Sequence, residues 1–396
     1  MSYATHLEGS IDGSRHELER LQTLHAGRPL LVRYDLERIR VEVDRDVFDG
    51  RDGGLWRYRE LLPVREDRHV VSLGEEPTAL VRCCRLAESL GLEQLLVKDE
   101  SSLPTGSFKA RGMTLALSRA KELGAVRVGL PTAGNAGGAA AAYAARAGLE
   151  CVVVMPSDTP EVNRLEAELY GARVHVLDGL IDDCGKFVRE HAEEWQLFDL
   201  STLKEPYRLE GKKTMGIELA HQLGWTLPDV ILYPTGGGTG LVGMWKAFDE
   251  LERLGWIEPG RRPRMVSCQS DGCAPIAKAF DAGEQHAPRF ENAETVASGL
   301  RVPVAVGDFL ILDAVRSSGG EARAVAEARL IPWMARASAA EGLAICPETA
   351  ACFAVLEDLI TEGKVDRAER VVVFNTGALQ KYVEAMRLGV AAARSS

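Results

Sequence analysis

The sequence has no surplus of positive charge, no long apolar run and no CxxC cysteine pair. Its 396 residues carry 58 Asp and Glu against 47 Lys and Arg, a formal charge of -11. It therefore lacks the concentrated basic face that neutralises nucleic-acid phosphates, and no nucleic-acid partner is expected. A small buried anion site made by one or two basic residues remains compatible with that balance. No apolar run approaches the roughly 20 residues that cross a bilayer, so no membrane partner is expected. Residues 1–12 are polar and lack the apolar centre of a secretory signal, and the protein reads as cytoplasmic. Eight cysteines lie at 83, 84, 151, 184, 268, 273, 346 and 352, with no CxxC among them. Several sit in apolar runs such as Cys151-Val152-Val153-Val154, which reads as reduced, mostly buried thiols rather than a metal or disulfide framework.

What is present is length enough for two domains, with an ordinary globular balance of 46% hydrophobic and 27% charged residues. From about residue 90, short β-branched runs alternate with longer Ala/Leu/Glu-rich periodic segments. Strands are expected at 95–98, 126–130, 151–155, 174–177, 230–233, 265–268 and 371–374. Helices are expected at 109–123, 136–147, 161–170, 213–223 and 241–254. Such alternation predicts an α/β fold with mostly parallel sheets covered by helices, and ligands at the carboxyl ends of strands. Residues 1–55 differ, being charged, rich in Arg and Asp and punctuated by Gly50, Gly53 and Gly54. They read as an N-terminal extension.

Four loops carry chemistry. The first is Lys98-Asp99-Glu100-Ser101-Ser102-Leu103-Pro104-Thr105-Gly106-Ser107-Phe108-Lys109-Ala110-Arg111-Gly112, a strand end, a turn, then a helix with Lys109 in its first turn. The macrodipole disfavours a cation there, and a lysine engaged as a nucleophile would escape that penalty; the plain alternative is a lysine that snorkels to water. The second is Pro131-Thr132-Ala133-Gly134-Asn135-Ala136-Gly137-Gly138, whose small residues admit a flat ring or a carboxylate close to the backbone. Asn135 could donate to a phenolate oxygen, or be a simple N-cap. The third is Pro234-Thr235-Gly236-Gly237-Gly238-Thr239-Gly240, where loop amides, a helix start and two threonine hydroxyls suit a phosphate. It is neither a Walker A loop nor a GxGxxG fingerprint, and a mere turn is the alternative. The fourth is Asn375-Thr376-Gly377 at a strand's end, where the Thr376 hydroxyl could face a pyridine nitrogen or simply make the turn.

Taken together, a lysine, a ring-side asparagine, a phosphate cradle and a ring-nitrogen hydroxyl follow one another along an α/β chain. The sequence resembles the fold type II pyridoxal phosphate (PLP) enzymes, the tryptophan synthase β-subunit group, and within them threonine synthase. The likeness runs from about Ser72 to Tyr382. It rests on Ser72-Leu73-Gly74-Glu75 with Thr78, Gly106-Ser107-Phe108-Lys109, Gly134-Asn135, Arg208-Leu209-Glu210-Gly211-Lys212-Lys213-Thr214, the glycine loop, Pro347-Glu348-Thr349-Ala350-Ala351 and Asn375-Thr376-Gly377.

The resemblance implies two domains, each a mostly parallel twisted sheet flanked by helices, with PLP in the cleft between them. It implies a large phosphate-binding domain over 56–104 and 201–396, and a small domain over 105–200. Lys109 is then the catalytic Schiff-base lysine. Phe108, Asn135, Gly236, Gly237, Gly238, Thr239, Gly240 and Thr376 join it in holding the cofactor. Ser107, Thr132, Ala133, Gly134, Ala136 and Arg208 hold the amino-acid substrate, Arg208 taking its anionic group unless it serves an ordinary ion pair. The implied reaction is γ-elimination of phosphate from O-phospho-L-homoserine with β-addition of water, giving L-threonine in a homodimer. Related synthases often begin with a cysteine-bearing zinc-ribbon-like segment. Here Leu30-Leu31-Val32-Arg33-Tyr34-Asp35 looks like a cysteine-free remnant of it, and no metal is expected.

The chain departs from the threonine synthase pattern in four places. Ala110 follows the lysine where Asp is common, and Ala133 and Ala136 flank Gly134-Asn135 where hydroxyls are frequent. Thr202-Leu203 stand where Asn-Ser often precedes the Arg208 signature, and Ala378-Leu379-Gln380-Lys381 follows Asn375-Thr376-Gly377. The thinned hydroxyl shell motivates a second reading, PLP-dependent β-elimination or β-replacement, as in a serine/threonine or diaminopropionate ammonia-lyase or a cysteate synthase-like enzyme. A non-catalytic PLP-binding homologue is the third.

Overall fold

Runs such as Val152-Val153-Val154 and Val371-Val372-Val373 are apolar at every position, which suits strands covered on both faces. In the computed structural model, which describes residues 2–395, the seven expected runs are the strands Gln94–Asp99, Arg127–Pro131, Glu150–Pro156, Arg173–Leu177, Val230–Pro234, Arg264–Ser270 and Arg370–Asn375. The chain divides into two units. One comprises Met1–Pro77, Lys109–Met215 and Asp249–Trp256; the other comprises Thr78–Phe108, Gly216–Phe248 and Ile257–Ser396.

The first unit holds a four-stranded parallel sheet in the order Arg173–Leu177, Glu150–Pro156, Arg127–Pro131, Leu197–Asp199. Its other sheet is antiparallel, with Ala4–Gly9 between Arg15–His16 and Leu30–Tyr34. The N-terminal stretch is tied firmly into this unit. Leu55, Trp56, Leu62 and Val64 pack with Leu115 of the helix Lys109–Glu122, and the Trp56 indole donates to Thr114 Oγ1 at 3.1 Å. Tyr34 donates its hydroxyl to Glu210 Oε2 at 2.7 Å, while Lys213 Nζ lies 2.7 Å from Glu210 and 2.8 Å from Glu250. All these charged side chains are buried, so losing one partner costs far more than a surface pair would.

The helix expected to start at residue 213 starts six residues earlier, as Tyr207–Gln222. Gly211 hides that start from a propensity reading, since glycine disfavours helix interiors. A Cβ on Gly211 would lie 1.8 Å from the carbonyl oxygen of Arg111, so glycine is there to let this helix meet Lys109–Glu122 backbone to backbone.

The second unit is built on a six-stranded sheet in the order Ala322–Val325, Arg264–Ser270, Val230–Pro234, Arg370–Asn375, Gln94–Asp99, Ala79–Arg82. All neighbours are parallel except the antiparallel edge strand Ala79–Arg82. The helix Pro347–Thr361 lies in its core, apolar against Val230, Leu232, Val371 and Val373. Seven of the eight cysteines are buried and Cys84 is exposed. Among the described residues no helix is long and apolar enough to cross a membrane.

Candidate active site

In the second unit the strand Val230–Pro234 runs into the glycine loop, and the helix Thr239–Arg253 begins at Thr239. The first turn of any helix leaves amides without helical acceptors. Among the described residues, the loop amides of Gly236, Gly237, Gly238 and Thr239 also have no protein acceptor. Four N–H groups at the positive end of a 15-residue helix suit a phosphate dianion. Gly236 is packed hard from behind: a Cβ there would lie 2.3 Å from the Gly299 carbonyl oxygen. Thr235 is turned away from this duty, because its hydroxyl donates to its own strand at Tyr233 O, 2.9 Å.

Thr376 follows the strand Arg370–Asn375 and is 6% exposed. Its carbonyl accepts the Phe108 amide at 3.1 Å, Ser107 pairs with Gly377 in a bridge, and Ala378 N donates to Gly106 O at 2.8 Å. Lys381 Nζ reaches Thr105 O at 2.9 Å. The Phe108 ring meets Tyr233 edge-on, with centroids 6.1 Å apart. The unit thus brings Ser107 and Phe108 to Thr376, and Phe108 to the strand that feeds the glycine loop. Ser107 Oγ is buried and has no hydrogen-bond partner among the described residues. A buried hydroxyl so placed costs free energy unless a ligand satisfies it.

Lys109, next in the chain, is the first residue of its helix and half-buried. In the same unit the strand Arg127–Pro131 leads through Thr132 to Gly134 into the helix Ala136–Ala147. Asn135 stands at its N-cap position, yet its side chain makes no capping bond. Thr132 Oγ1 accepts the Gly134 amide at 3.1 Å and lies 3.3 Å from the Gly134 carbonyl, so the one hydroxyl left in this turn is engaged within it.

Arg208 is in the first turn of Tyr207–Gln222 and only 1% exposed, which removes it from the surface. One guanidinium nitrogen donates to Leu200 O, and Nε is buried without a hydrogen-bond partner among the described residues. Glu205 caps this helix, accepting the Tyr207 amide at 2.7 Å and the Arg208 amide at 3.0 Å. Burial pushes the Glu205 carboxyl up to about 7, against the pull of Arg208 and of those amides, and burial also lowers Arg208. Sequence reasoning missed Glu205. The signal was available in Pro206, the residue type favoured at a helix's first position.

The residues therefore fall into two sets. Lys109, Thr132, Ala133, Gly134, Asn135, Ala136 and Arg208 belong to the first unit, and Ser107, Phe108, Gly236 to Gly240 and Thr376 to the second. The second set offers a phosphate cradle, an aromatic wall and a strand-end hydroxyl, which fit PLP. The first offers an amine, an amide and a buried guanidinium.

A family model for pyridoxal-phosphate dependent enzymes matches residues 71–377. A threonine synthase of Methanocaldococcus jannaschii is 38% identical over 360 residues, 91% of this chain and 88% of that protein. One of Methanosarcina acetivorans is 36% identical over 351 residues, 88% of this chain and 85% of that protein. The structure of maize serine racemase superposes with a TM-score of 0.67 at 20% identity, covering 81% of this chain and 94% of that one, a likeness of fold.

Proposed function

This chain belongs to the pyridoxal-phosphate dependent enzymes and is a lyase that uses that cofactor, and we propose that it is a threonine synthase acting on O-phospho-L-homoserine. What carries the choice is that two relatives of that name match it over 88% and 85% of their own lengths. When bound, the cofactor supplies an electron sink for negative charge at the substrate's α-carbon. In this reading Lys109 Nζ holds the cofactor and, once freed by substrate, carries protons between the α- and β-carbons. Phosphate leaves the γ-carbon and water adds at the β-carbon. The amides from Gly236 to Gly240 hold the cofactor phosphate, Phe108 walls the ring, Asn135 donates to its phenolate oxygen and Thr376 meets its nitrogen. Ser107 and the turn Ala133, Gly134 and Ala136 take the substrate carboxylate. Thr132 and Arg208 face the leaving phosphate. A homodimer in the cytoplasm goes with this reading.

The engaged Thr132 hydroxyl and the alanines at 133 and 136 favour a second reading, β-elimination or β-replacement, as in a serine/threonine or diaminopropionate ammonia-lyase or a cysteate synthase-like enzyme. The two readings part in one assay of the PLP-loaded protein. The first expects phosphate and threonine from O-phospho-L-homoserine, with Lys109→Ala lowering turnover by ~10³-fold. No phosphate, with 2-oxoacid and ammonia released from serine, threonine or diaminopropionate, would sink it in favour of the second.

A further inference from the structure

The turn just ahead of Ser107 and Phe108 is strained, and the strain sits on one residue. Gly106 N donates to Leu103 O at 2.8 Å, closing a turn over Pro104 and Thr105. Thr105 has φ +61° and ψ +19°, the conformation of the third residue of a type II turn, where glycine or asparagine is usual. Among the described residues it is the one β-branched side chain with a positive φ. Such a conformation costs free energy and persists only where its surroundings over-determine it. Gly106, at φ +63°, continues the left-handed path without that cost.

The restraint comes from the segment that follows the strand Arg370–Asn375. Backbone contacts pin the three residues after Thr105: Ala378 N donates to Gly106 O at 2.8 Å, Ser107 bridges Gly377, and Phe108 N donates to Thr376 O at 3.1 Å. The carbonyl of Thr105 is held instead by a side chain, Lys381 Nζ donating to it at 2.9 Å. Lys381 is buried, and its stem passes close to Gly106, where an added Cβ would lie 3.3 Å from Lys381 Cδ. A return of Thr105 to negative φ would swing the Thr105–Gly106 peptide plane and carry that carbonyl away from Lys381. The Thr105 hydroxyl takes no part in the restraint, since Oγ1 is buried without a hydrogen-bond partner among the described residues. Directly downstream stand the unpartnered Ser107 Oγ and the Phe108 ring.

We propose that Lys381 is a positioning residue, which holds Thr105 in the left-handed region so that the turn presents Ser107 and Phe108 to their ligands. This rests on the reading of Ser107 as a substrate contact and of Phe108 as the wall of the cofactor ring. Lys381 itself need touch neither cofactor nor substrate.

The test is a double-mutant cycle on residues 105 and 381 in the full chain, read by amide hydrogen exchange without PLP and by PLP titration. Lys381→Met is expected to speed exchange of the Gly106 and Phe108 amides roughly tenfold and to weaken PLP binding by a similar factor, the scale of a hydrogen bond from a charged donor. Amides of the strand Val230–Pro234 are expected to keep wild-type protection. Thr105→Gly removes the steric cost of a positive φ, so in that background Lys381→Met is expected to change either readout by no more than about threefold. Lys381→Arg, which keeps a donor, is expected to stay within about threefold of wild type. The same tenfold loss in both backgrounds would make Lys381 ordinary packing and overturn the proposal, as would wild-type exchange at Gly106 and Phe108 in Lys381→Met. Altered exchange with wild-type PLP affinity overturns the positioning role. A Phe108→Ala protein that binds PLP as wild type does overturns the reading of the site itself, and the role of Lys381 with it.

Discussion

Two loops in this protein share one plan, strand then small-residue turn then helix, and differ in what enforces their small residues. In the glycine loop, a Cβ on Gly236 would strike a backbone carbonyl, Gly299 O, at 2.3 Å. In the Asn135 turn, a Cβ on Gly138 would strike the Glu166 carboxylate at 1.9 Å, the far end of a flexible side chain. Backbone cannot step aside without moving its element, whereas a carboxylate can rotate. The first loop is thus held at Gly236 by backbone, while the second is held at Gly138 by a side chain that can move.

That contrast can be broken by substitution. Asn135→Ala should leave PLP bound while turnover falls roughly tenfold to 150-fold, the loss of a hydrogen bond to a charged oxygen worth about 1.5–3 kcal/mol. Steady-state kinetics beside cofactor titration checks this, and an equal loss of cofactor affinity would erase the division of labour between the loops. Gly236→Ala should act the other way, weakening PLP binding by roughly tenfold through about 1–3 kcal/mol of overpacking. Gly138→Ala should cost threefold or less, on the order of 0.5 kcal/mol. If both glycine variants weaken PLP equally in fluorescence titrations, the backbone-versus-side-chain distinction is wrong.

The Arg208 end of the first unit makes a pH-dependent prediction. Burial holds the Glu205 carboxyl at about 7 in the folded protein, against an ordinary 4.5. Its folded pKa being the higher one, its contribution to stability is complete below about pH 4.5 and is lost as pH rises through about 7. The melting temperature of wild type relative to Glu205→Gln should therefore fall between about pH 5 and about pH 8. A difference that stays flat over that interval would mean the carboxyl is ionised throughout. The smallest effect belongs to Ala136→Ser, which puts a hydroxyl back beside Asn135. It should lower KM for O-phospho-L-homoserine about threefold with kcat unchanged, the scale of one exposed hydrogen bond. A fall in kcat instead would place residue 136 against the reacting atoms.

Periodicity alone carried the sequence reading a long way. The helix Ala136–Ala147 was legible to the residue, and the central strands within a residue or two, because their apolar runs are continuous and bounded by turn residues. The strands Ala79–Arg82, Leu197–Asp199 and Ala322–Val325 were not legible: three or four residues are too few to establish a period, and only pairing to a neighbour makes them strands. The start of Tyr207–Gln222 was hidden by Gly211, whose purpose is visible only once Arg111 is seen against it.

The sequence by itself determined the order of the chemical parts, Lys109, Asn135, the glycine loop and Thr376, each at the end of a strand or the start of a helix, because local pattern places such positions. Only the tertiary structure decided how those parts are held. It buried Arg208 with Glu205, engaged Thr132 within its own turn, left Ser107 Oγ without a partner among the described residues, and set Lys381 on the carbonyl of a left-handed Thr105. The physical reason is that hydrogen-bond partnership and desolvation depend on residues distant in the chain, and no local pattern encodes which of them will meet.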